Sequence, residues 1–503
     1  MRKIMQWMMA ATLVSGISVF TSCSLDNDDN AATSPDGPHQ QLADYTIIYY
    51  GNGGGDLDKA LMETIAQFYR ADAESRKNVN ICVQYKFSTL KSLQKKKLEQ
   101  FYPYAGKTCR FTVPPKTTDA DLKTTLMTTM SSHFFGPDNA DFCRSDSLAN
   151  YINWATKQFP ARKYILILND HGGGYLPNEE LPVADVSTPQ TRGVIYDDGH
   201  DDKHFTAKTL AKALSLSREH LSALYMDACI MNTAEYQFEL APLTDYFVLS
   251  TCSVPDEGGY YSELVQALSA NPDDLEKGLA RFAKYCVERW DNDKELEKED
   301  EEVYKHHDMN VYRATEVEAF GAELKKFVDC LLDTYRNGSD EERAKIDDIT
   351  AHAYRIDYDQ PTYDLMHYIY MLKAALPDVF GSVFESLTDV AYNRYIVFQQ
   401  SSAWLNENGH TVSLSVLLGC QGHYMTKEDG KDYRYDADGM YYLLQDGELL
   451  NGRSWGSTLD ETYGQLRFDK ATGWSRWLRL NQQEPNLKCF VDLHNFNSDS
   501  SSE

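Results

Sequence analysis

The chain has 503 residues, enough for two or three domains with a substantial core. Its 76 acidic and 49 basic residues give a formal net charge of −27, which repels polyphosphate and argues against a nucleic-acid partner. A hydrophobic share of 42% beside 25% charged residues excludes a disordered chain and a membrane bundle, and it indicates a globular protein.

The first 22 residues have the layout of a secretory signal. Arg2 and Lys3 precede an apolar stretch over 5–20, and two small residues then lead to Cys23. This arrangement resembles a bacterial lipoprotein signal, in which Cys23 would carry the lipid that anchors the mature chain to a bilayer. Ordinary secretion with an incidental cysteine is the alternative.

Residues 23–43 are rich in Asp, Ser, Pro and Gln and are predicted to form a flexible acidic tether. The acidic run at 24–30 resembles the surface-export signal of Bacteroidetes lipoproteins. No later window reaches the roughly 18 apolar residues that a membrane-spanning helix needs. We therefore expect an exported protein that is held at the outer membrane or cell surface by its lipid alone.

From residue 45 onward, apolar runs alternate with amphipathic segments, the pattern of an α/β fold. The runs predicted as strands, several of them suited to a sheet covered on both faces, lie at 45–50, 79–87, 109–113, 163–169, 221–227, 245–251 and 411–418. The segments predicted as helices lie at 57–69, 89–101, 118–132, 144–158, 205–217, 272–290, 314–336, 340–352 and 362–394.

The second half of the chain is richer in helical patterns than the first, so we place a soft boundary near residue 300. This divides the folded part into a domain over 44–300 and a helix-rich domain over 301–503.

The ten cysteines include no CxxC pair, which argues against a zinc knuckle or a thioredoxin motif. The glycine-rich segment 51–55 lacks the residues of a phosphate-binding loop and is interpreted as a tight turn.

Two segments with candidate catalytic residues follow predicted strands. His171 opens a His-Gly-Gly-Gly sequence after the strand at 163–169, and Cys229 follows the strand at 221–227. If the sheet is parallel, both carboxyl ends lie at one edge, where such folds place their ligands. A thiol beside an imidazole suits nucleophilic catalysis, although a buried structural cysteine remains the alternative. A serine hydrolase centred on Ser454 is disfavoured because its surroundings resemble a turn and too little chain follows.

The strings ILILNDHGGGY (165–175) and LYMDACIMNTAEYQFEL (224–240) together resemble the clostripain (C11) family of cysteine peptidases, which are related in fold to caspases, gingipains and legumain. The resemblance extends from residue 44 to about 480. It implies a caspase-like α/β/α sandwich with a mostly parallel central sheet and a helical C-terminal portion. It also implies an endopeptidase that acts on proteins or peptides and needs no cofactor for its chemistry.

Carried over residue by residue, the resemblance assigns His171 as the base and Cys229 as the nucleophile. The main-chain N–H groups of Gly172 and Cys229 match the donors of the oxyanion hole. Asp227 matches the family acid of the S1 pocket, where a carboxylate pairs with Arg or Lys; the alternative for it is an acid that ends a strand. These assignments predict cleavage after Arg or Lys.

The segment after the strand at 245–251 departs from the family pattern, so only part of the pocket wall is recognisable. Asp256 is a candidate for a missing pocket acid. Arg192, in a polar loop, is a candidate for an activating cleavage. Calcium dependence occurs in relatives, and the acidic run at 197–202 is either a calcium ligand set or a solvated loop. No other metal site is predicted, and the sequence leaves the oligomeric state undetermined.

Two alternatives to this function stay open. One is a catalytically decayed surface protein that binds through a peptidase scaffold, because intact His171 and Cys229 do not prove turnover. The other is an active peptidase with a non-basic P1 preference, because the wall at 252–257 is altered.

Overall fold

The structure is a computed structural model. It describes residues 42–114, 122–175, 193–200, 203–356, 362–418, 424–428, 431–435, 441–445, 448–449 and 463–483. The predicted signal and tether, Cys23, Arg192 and Ser454 lie outside these ranges. Leu42–Glu503 forms one compact unit. Within the described ranges, no helix is long and apolar enough to cross a bilayer.

The described strands, numbered in chain order, are β1 (Ala43–Asn52), β2 (Val79–Lys86), β3 (Thr108–Thr112), β4 (Phe134–Phe135), β5 (Ala161–Asn169), β6 (Val194–Asp197), β7 (Lys203–Phe205), β8 (Leu221–Asp227), β9 (Thr244–Leu249), β10 (Asp308–Arg313), β11 (Thr362–Asp364), β12 (Ile396–Ser401), β13 (Ser415–Leu417), β14 (Tyr424–Glu428), β15 (Lys431–Tyr435), β16 (Tyr441–Gln445) and β17 (Glu448–Leu449).

The described α-helices are α1 (Asp58–Arg70), α2 (Leu90–Lys95), α3 (Leu122–Ser132), α4 (Ser145–Gln158), α5 (Ala207–Ser215), α6 (Ala234–Leu240), α7 (Tyr261–Ser269), α8 (Leu275–Trp290), α9 (Lys294–Glu299), α10 (Glu301–Lys305), α11 (Val317–Asn337), α12 (Asp340–Ala351), α13 (Leu365–Ala375), α14 (Pro377–Val390), α15 (Ala403–Glu407), α16 (Arg467–Thr472) and α17 (Trp474–Gln483).

The main sheet has nine strands in the order β12-β10-β9-β8-β5-β1-β2-β3-β4. The five central strands, from β9 to β2, are parallel to one another. Two further strands complete each edge, and each of them is antiparallel to its inner neighbour. The carboxyl ends of the central strands therefore share one edge of the sheet, the edge at which open α/β folds bind ligands.

Strand β1 shows why this sheet lies between two helical layers. Its side chains alternate, with Ile48 and Tyr50 in the core beneath α4 and α5 and Ile47 and Tyr49 in the core beneath α1, α7 and α8. All four are fully buried. Because successive strand residues point to opposite faces, a run that is apolar at every position needs cover on both. The predicted α/β/α sandwich is confirmed.

Three details differ from the expectations drawn from the sequence. The segment at 109–113 forms β3, but it pairs antiparallel with β2 near an edge. The helix predicted over 362–394 is two helices, α13 and α14, since Pro377 disfavours the helical conformation of the residue before it and lacks the N–H that a continuous helix would use. Strands β10 and β12 were not predicted.

Residues on both sides of the boundary expected near 300 build the main sheet. Strand β10 pairs with β9 and with β12, so the region over 301–503 supplies two strands to the sheet that carries the predicted site. Helices α11 and α14 from the same region pack against each other in one of the two cores.

Candidate active site

The candidate site lies where β5 and β8 end side by side. Asn169 is in register with Asp227 across the two strands, and its side-chain amide donates to the Asp227 carbonyl at 2.9 Å. His171 and Cys229 each follow this pair by two residues. The parallel register therefore brings an imidazole and a thiol to one place, although 58 residues separate the two strand ends.

The main chains of the two loops are also in contact. A Cβ added at Gly172 would lie 2.9 Å from the main-chain nitrogen of Cys229 and would collide with its carbonyl oxygen. Only glycine permits this approach. Glycine at 172 thus places two main-chain segments, one from each loop, against each other beside the thiol.

One small cavity joins the residues that the sequence singled out. It has a volume of about 30 Å³, and its lining includes His171, Asp227, Cys229 and Asp256. The remaining lining residues are Leu57, Leu61, Asn169, Asp170, Ala228, Val254, Pro255 and Gly258. A cavity of this size holds roughly two water molecules, so a long side chain needs the wall to move before it can enter.

Asp56 fixes the imidazole of His171. The His171 Nε2 and the Asp56 Oδ1 are 2.8 Å apart, and the same carboxylate forms an ion pair with Lys96 at 2.6 Å. The hydrogen bond from His171 lowers the pKa of Asp56 to about 2, with Lys96 contributing in the same direction against burial. Asp56 is therefore ionised throughout the range in which proteins usually work.

The pKa of His171 reflects opposing influences. Burial lowers it, but the hydrogen bond to Asp56 and the charges of Asp170, Asp56 and Asp256 outweigh burial, so the pKa lies above its usual value. Because Nε2 is engaged by Asp56, Nδ1 is the ring nitrogen left to exchange a proton with a neighbouring group. The carboxylate thus sets both the orientation and the proton affinity of the ring.

The glycine-rich loop after β1 places Asp56, as the tight turn predicted from the sequence. Gly54 and Gly55 have positive φ angles of 57° and 100°, a region that favours glycine. At Gly54 a Cβ would lie 2.8 Å from the His171 ring and would collide with Asp170. The loop can therefore pass closely over the histidine loop and present Asp56 to it.

Cys229 is held by the turn that follows β9. The Val254 N–H donates to the Cys229 Sγ at 3.3 Å, and the thiol lies 3.7 Å from the Val254 carbonyl oxygen. Burial raises the pKa of the thiol to about 11, although the Val254 N–H opposes this shift. In this arrangement the thiol is protonated at neutral pH. It is one of seven cysteines in the described residues that form no disulfide.

The residue after the nucleophile candidate is strained. Ile230 has a φ of 61°, which is unusual for a β-branched side chain. Its N–H donates to the Cys252 carbonyl at 3.0 Å, a contact that helps to hold it in this conformation. Strain of this kind occurs where a loop is constrained to present a side chain, here the thiol of Cys229.

Asp227 is buried and is one of the residues that line the cavity. Its Oδ2 accepts hydrogen bonds from the Gly259 N–H at 2.9 Å and the Tyr261 hydroxyl at 2.8 Å, whereas Oδ1 has no hydrogen-bond partner within the described residues. Burial raises the pKa of Asp227 despite these donors. A buried carboxylate with one unsatisfied oxygen is suited to pair with a cationic group that enters the cavity.

Asp256 also lies beside His171, and burial raises its pKa while the imidazolium charge opposes that rise. A second cavity of about 270 Å³ begins at Asp256. Its carboxylates are those of Asp256, Glu257, Asp293, Glu295, Glu299 and Asp300. The surroundings of the site are therefore strongly negative on this side.

The structure describes residues 197–200 of the acidic run at 197–202. Asp197 is buried in an ion pair with Lys86 and accepts a hydrogen bond from His200. Asp141 is close enough to share a metal with Asp197 and His200, but it pairs with Lys203 at 2.6 Å. Calcium prefers oxygen ligands, and these carboxylates already have cationic partners. Asp201 and Asp202 lie outside the described residues.

Sequence reasoning missed Asp56 and Lys96. The only available signal was that an acid follows the glycine-rich loop at the carboxyl end of β1, the neighbour of β5. His171 and Asp56 lie 115 residues apart in the chain, and nothing in their local sequences relates them.

Comparisons with known proteins agree with this fold. The model of the clostripain family, Peptidase_C11, matches residues 133–479. Clostripain of Hathewaya histolytica is 29% identical over 146 residues, which are 26% of this chain and 26% of that protein. The match thus spans about a quarter of that relative's length.

Two solved proteins share the fold at low sequence identity. The secreted C11 cysteine protease "iotapain" of Bacteroides thetaiotaomicron gives a TM-score of 0.54 at 14% identity, over 86% of this chain and 99% of the other. An inactive zymogen of a C11 protease from Parabacteroides distasonis gives 0.51 at 15% identity over the same shares. With the family model covering well over half of its length, the chain belongs to the clostripain family.

Proposed function

We propose that this protein is an exported cysteine endopeptidase that hydrolyses peptide bonds with Cys229 and His171 and cleaves after Arg or Lys. The observation that carries the proposal is the meeting of thiol, imidazole and buried carboxylate around one cavity at the carboxyl edge of the sheet. Membership of the clostripain family supports the same chemistry.

The reaction begins with attack of the Cys229 sulfur on the carbonyl carbon of the scissile bond. Because burial keeps the thiol protonated, its proton passes to Nδ1 of His171 as the sulfur–carbon bond forms. The imidazolium then donates that proton to the nitrogen of the leaving amine as the carbon–nitrogen bond breaks. Water then attacks the carbonyl carbon of the resulting thioester while His171 accepts a proton from it. The sulfur–carbon bond breaks, the acid product leaves, and His171 returns the proton to the departing sulfur of Cys229.

Negative charge develops on the carbonyl oxygen during both steps. The main-chain N–H groups of Gly172 and Cys229 are the donors that we assign to this oxygen. The close packing of Gly172 against the Cys229 main chain supports this assignment. Such donors are already oriented before reaction, so they stabilise the transition state without reorganisation.

Asp227 determines the preference for a basic P1 residue in this proposal. Its Oδ1 has no hydrogen-bond partner within the described residues, and Asp256, which also lines the cavity, adds a second negative charge. The adjoining acidic cavity favours the approach of a cationic side chain. A P1 side chain enters only after the wall at 254–258 moves, because the present cavity of about 30 Å³ is too small.

Cleavage near Arg192 is the activating event that we propose. Arg192 immediately precedes Gly193, whose carbonyl accepts a hydrogen bond from the N–H of Gly173 in the histidine loop at 2.9 Å. A cut there releases a constraint on the loop that carries His171. The P. distasonis relative is described as an inactive zymogen, which supports a dormant form of the fold.

The proposal places the protein outside the cell, tethered through a lipid on Cys23 and residues 24–43. The B. thetaiotaomicron relatives are described as secreted, which supports export. Detergent phase partitioning of the full chain and a Cys23→Ala variant tests the anchor. We expect the full chain in the detergent phase and the variant in the aqueous phase; a variant that still partitions into detergent contradicts the lipid anchor.

A fluorogenic peptide library tests the catalytic proposal. The full chain is assayed beside His171→Ala and Cys229→Ala, before and after limited nicking near Arg192, in calcium and in chelator. Cys330→Ala is the matched control, because Cys330 is also a partly buried free thiol but lies on α11. We expect cleavage after Arg or Lys that is lost in the first two variants and kept in the control.

Each other outcome changes a specific part of the proposal. Cleavage after non-basic residues keeps the dyad and removes the assignment of Asp227. Activity that survives in Cys229→Ala removes the dyad itself. Absence of cleavage in every form, with the nicked protein still binding peptides, favours a binding protein on a peptidase scaffold. Activity that is lost in chelator and restored by added calcium establishes a calcium requirement.

A further inference from the structure

Strand β10 begins with a buried carboxylate that has an unusual number of donors. Asp308 is fully buried. Its Oδ1 accepts hydrogen bonds from the Ser250 hydroxyl at 2.8 Å and the Cys252 N–H at 2.7 Å. The Thr251 N–H is shared between its two oxygens at 2.9 and 3.0 Å, and the Asn310 amide donates to Oδ2 at 2.5 Å.

Three of these donors belong to one turn, residues 250–254, which follows β9. The main-chain N–H groups of Thr251 and Cys252 have left the β-ladder and point into the core, where an unpaired donor is costly. The Asp308 carboxylate satisfies both of them. It therefore acts as a fixed cap for this turn, supplied by a strand that lies more than 50 residues further along the chain.

The same turn contacts Cys229 and the residue after it. The carbonyl of Cys252, whose own N–H is bound by Asp308, accepts the N–H of Ile230 at 3.0 Å. Two residues later, the Val254 N–H donates to the Cys229 Sγ at 3.3 Å. One side of the turn thus fixes the strained residue after the nucleophile, and the other side fixes the sulfur atom.

We propose that Asp308 is a positioning residue for catalysis, which holds the 250–254 turn and through it the Cys229 thiol in the orientation for attack. This inference rests on the proposed role of Cys229 as the nucleophile. Asp308 touches neither the thiol nor the cavity, so its effect is transmitted by the main chain of the turn. Region 301–503 then contributes a positioning residue, Asp308, to the site.

Asp308→Asn in the full chain tests this role. The amide is the same size as the carboxylate, but its NH2 group cannot accept a hydrogen bond. Placed at the Oδ2 position it faces the Asn310 amide, and placed at the Oδ1 position it faces the Cys252 N–H, so a donor loses its partner in either orientation. A misplacement of about 1 Å at a nucleophile costs on the order of 100-fold in rate. We expect kcat for a cleaved peptide to fall roughly 10- to 100-fold while KM stays within about threefold.

Glu235→Gln is the matched control. Glu235 is another fully buried carboxylate, whose Oε1 accepts from the Leu417 N–H at 2.9 Å and the Tyr463 hydroxyl at 2.8 Å. It makes no hydrogen bond to the 250–254 turn within the described residues. Glu235→Gln should lower stability about as much as Asp308→Asn does. We expect the kcat of Glu235→Gln to stay within about threefold of that of the unmodified chain. Alkylation of Cys229 by iodoacetamide, located by mass spectrometry, should slow in Asp308→Asn alone.

The outcomes separate this inference from the function on which it rests. If Cys229→Ala is inactive while Asp308→Asn has the kcat and alkylation rate of Glu235→Gln, the positioning role is wrong and the nucleophile stands. If Cys229→Ala is active, both fail. If Asp308→Asn does not fold, Ser250→Ala replaces it, because it removes one donor and keeps the carboxylate. We then expect kcat about two- to fivefold lower at constant KM, and an unchanged kcat overturns the inference.

Discussion

Replacing Asp56 by asparagine should move the acid limb of the profile of kcat/KM against pH to lower pH. The carboxylate accepts from Nε2 of His171 and raises the pKa of the imidazole against the effect of burial. Asparagine can keep the hydrogen bond but not the charge. Because His171 must be unprotonated to accept the thiol proton, the pH at which kcat/KM begins to rise reports its titration in the free enzyme.

The size of the movement follows from the geometry. At the 2.8 Å between His171 Nε2 and Asp56 Oδ1, Coulomb's law gives about 6 kcal/mol at an effective dielectric constant of about 20 and about 1.5 kcal/mol at that of water. The two side chains are 42% and 31% exposed, so the lower end applies. Since about 1.4 kcal/mol corresponds to one pH unit, we expect a movement of about one pH unit downward.

The assay is kcat/KM for a fluorogenic peptide between pH 4 and 9, values chosen to bracket an ordinary histidine near pH 6.5. Lys96→Met provides a control with the opposite sign. Lys96 shares the Asp56 carboxylate at 2.6 Å, so its removal leaves more negative charge facing the imidazole and should move the acid limb upward. In an Asp56→Asn background, the Lys96 substitution should have little effect.

An acid limb that stays in place in Asp56→Asn, or that moves upward, would refute the reasoning. So would equal downward movements in the Asp56 and Lys96 variants. A fall in plateau activity without a movement of the limb would show that Asp56 orients the ring but that its charge does not reach the titrating group.

Three further predictions concern glycines and a buried ion pair. Gly172→Ala places a Cβ 2.9 Å from the Cys229 nitrogen, so kcat/KM should fall on the order of 100-fold; an unchanged value would contradict the oxyanion assignment. Gly381→Ala, on α14 with open space around it, should raise stability by about 0.5–1 kcal/mol in thermal unfolding at unchanged activity; a lower Tm would be inconsistent with this. Lys86→Met leaves Asp197 buried without its cation, which should cost about 3–5 kcal/mol in urea unfolding. Adding Asp197→Asn to this variant should recover part of that loss. Lys86→Met alone with the stability of the parent protein would refute the expectation.

The sequence by itself determined the layers of the fold and two central residues of the proposed site. Apolar runs such as the one at 163–169 predict strands covered on both faces, because every position must be buried. Glycines after such a strand predict a loop that another main chain approaches closely, and Gly172 meets Cys229 in this way. These signals are local, since each depends on the periodicity or backbone freedom of adjacent residues.

Only the tertiary structure decided which distant side chains act on these two residues. Asp56 reaches His171 across 115 residues of chain, and Asp308 caps the turn after β9 from a strand that was not predicted. A carboxylate has the same local appearance whether it caps a turn, orients an imidazole or faces water. Its role depends on sheet order, which places β1 beside β5 and β10 beside β9, and that order is fixed by packing between segments far apart in sequence.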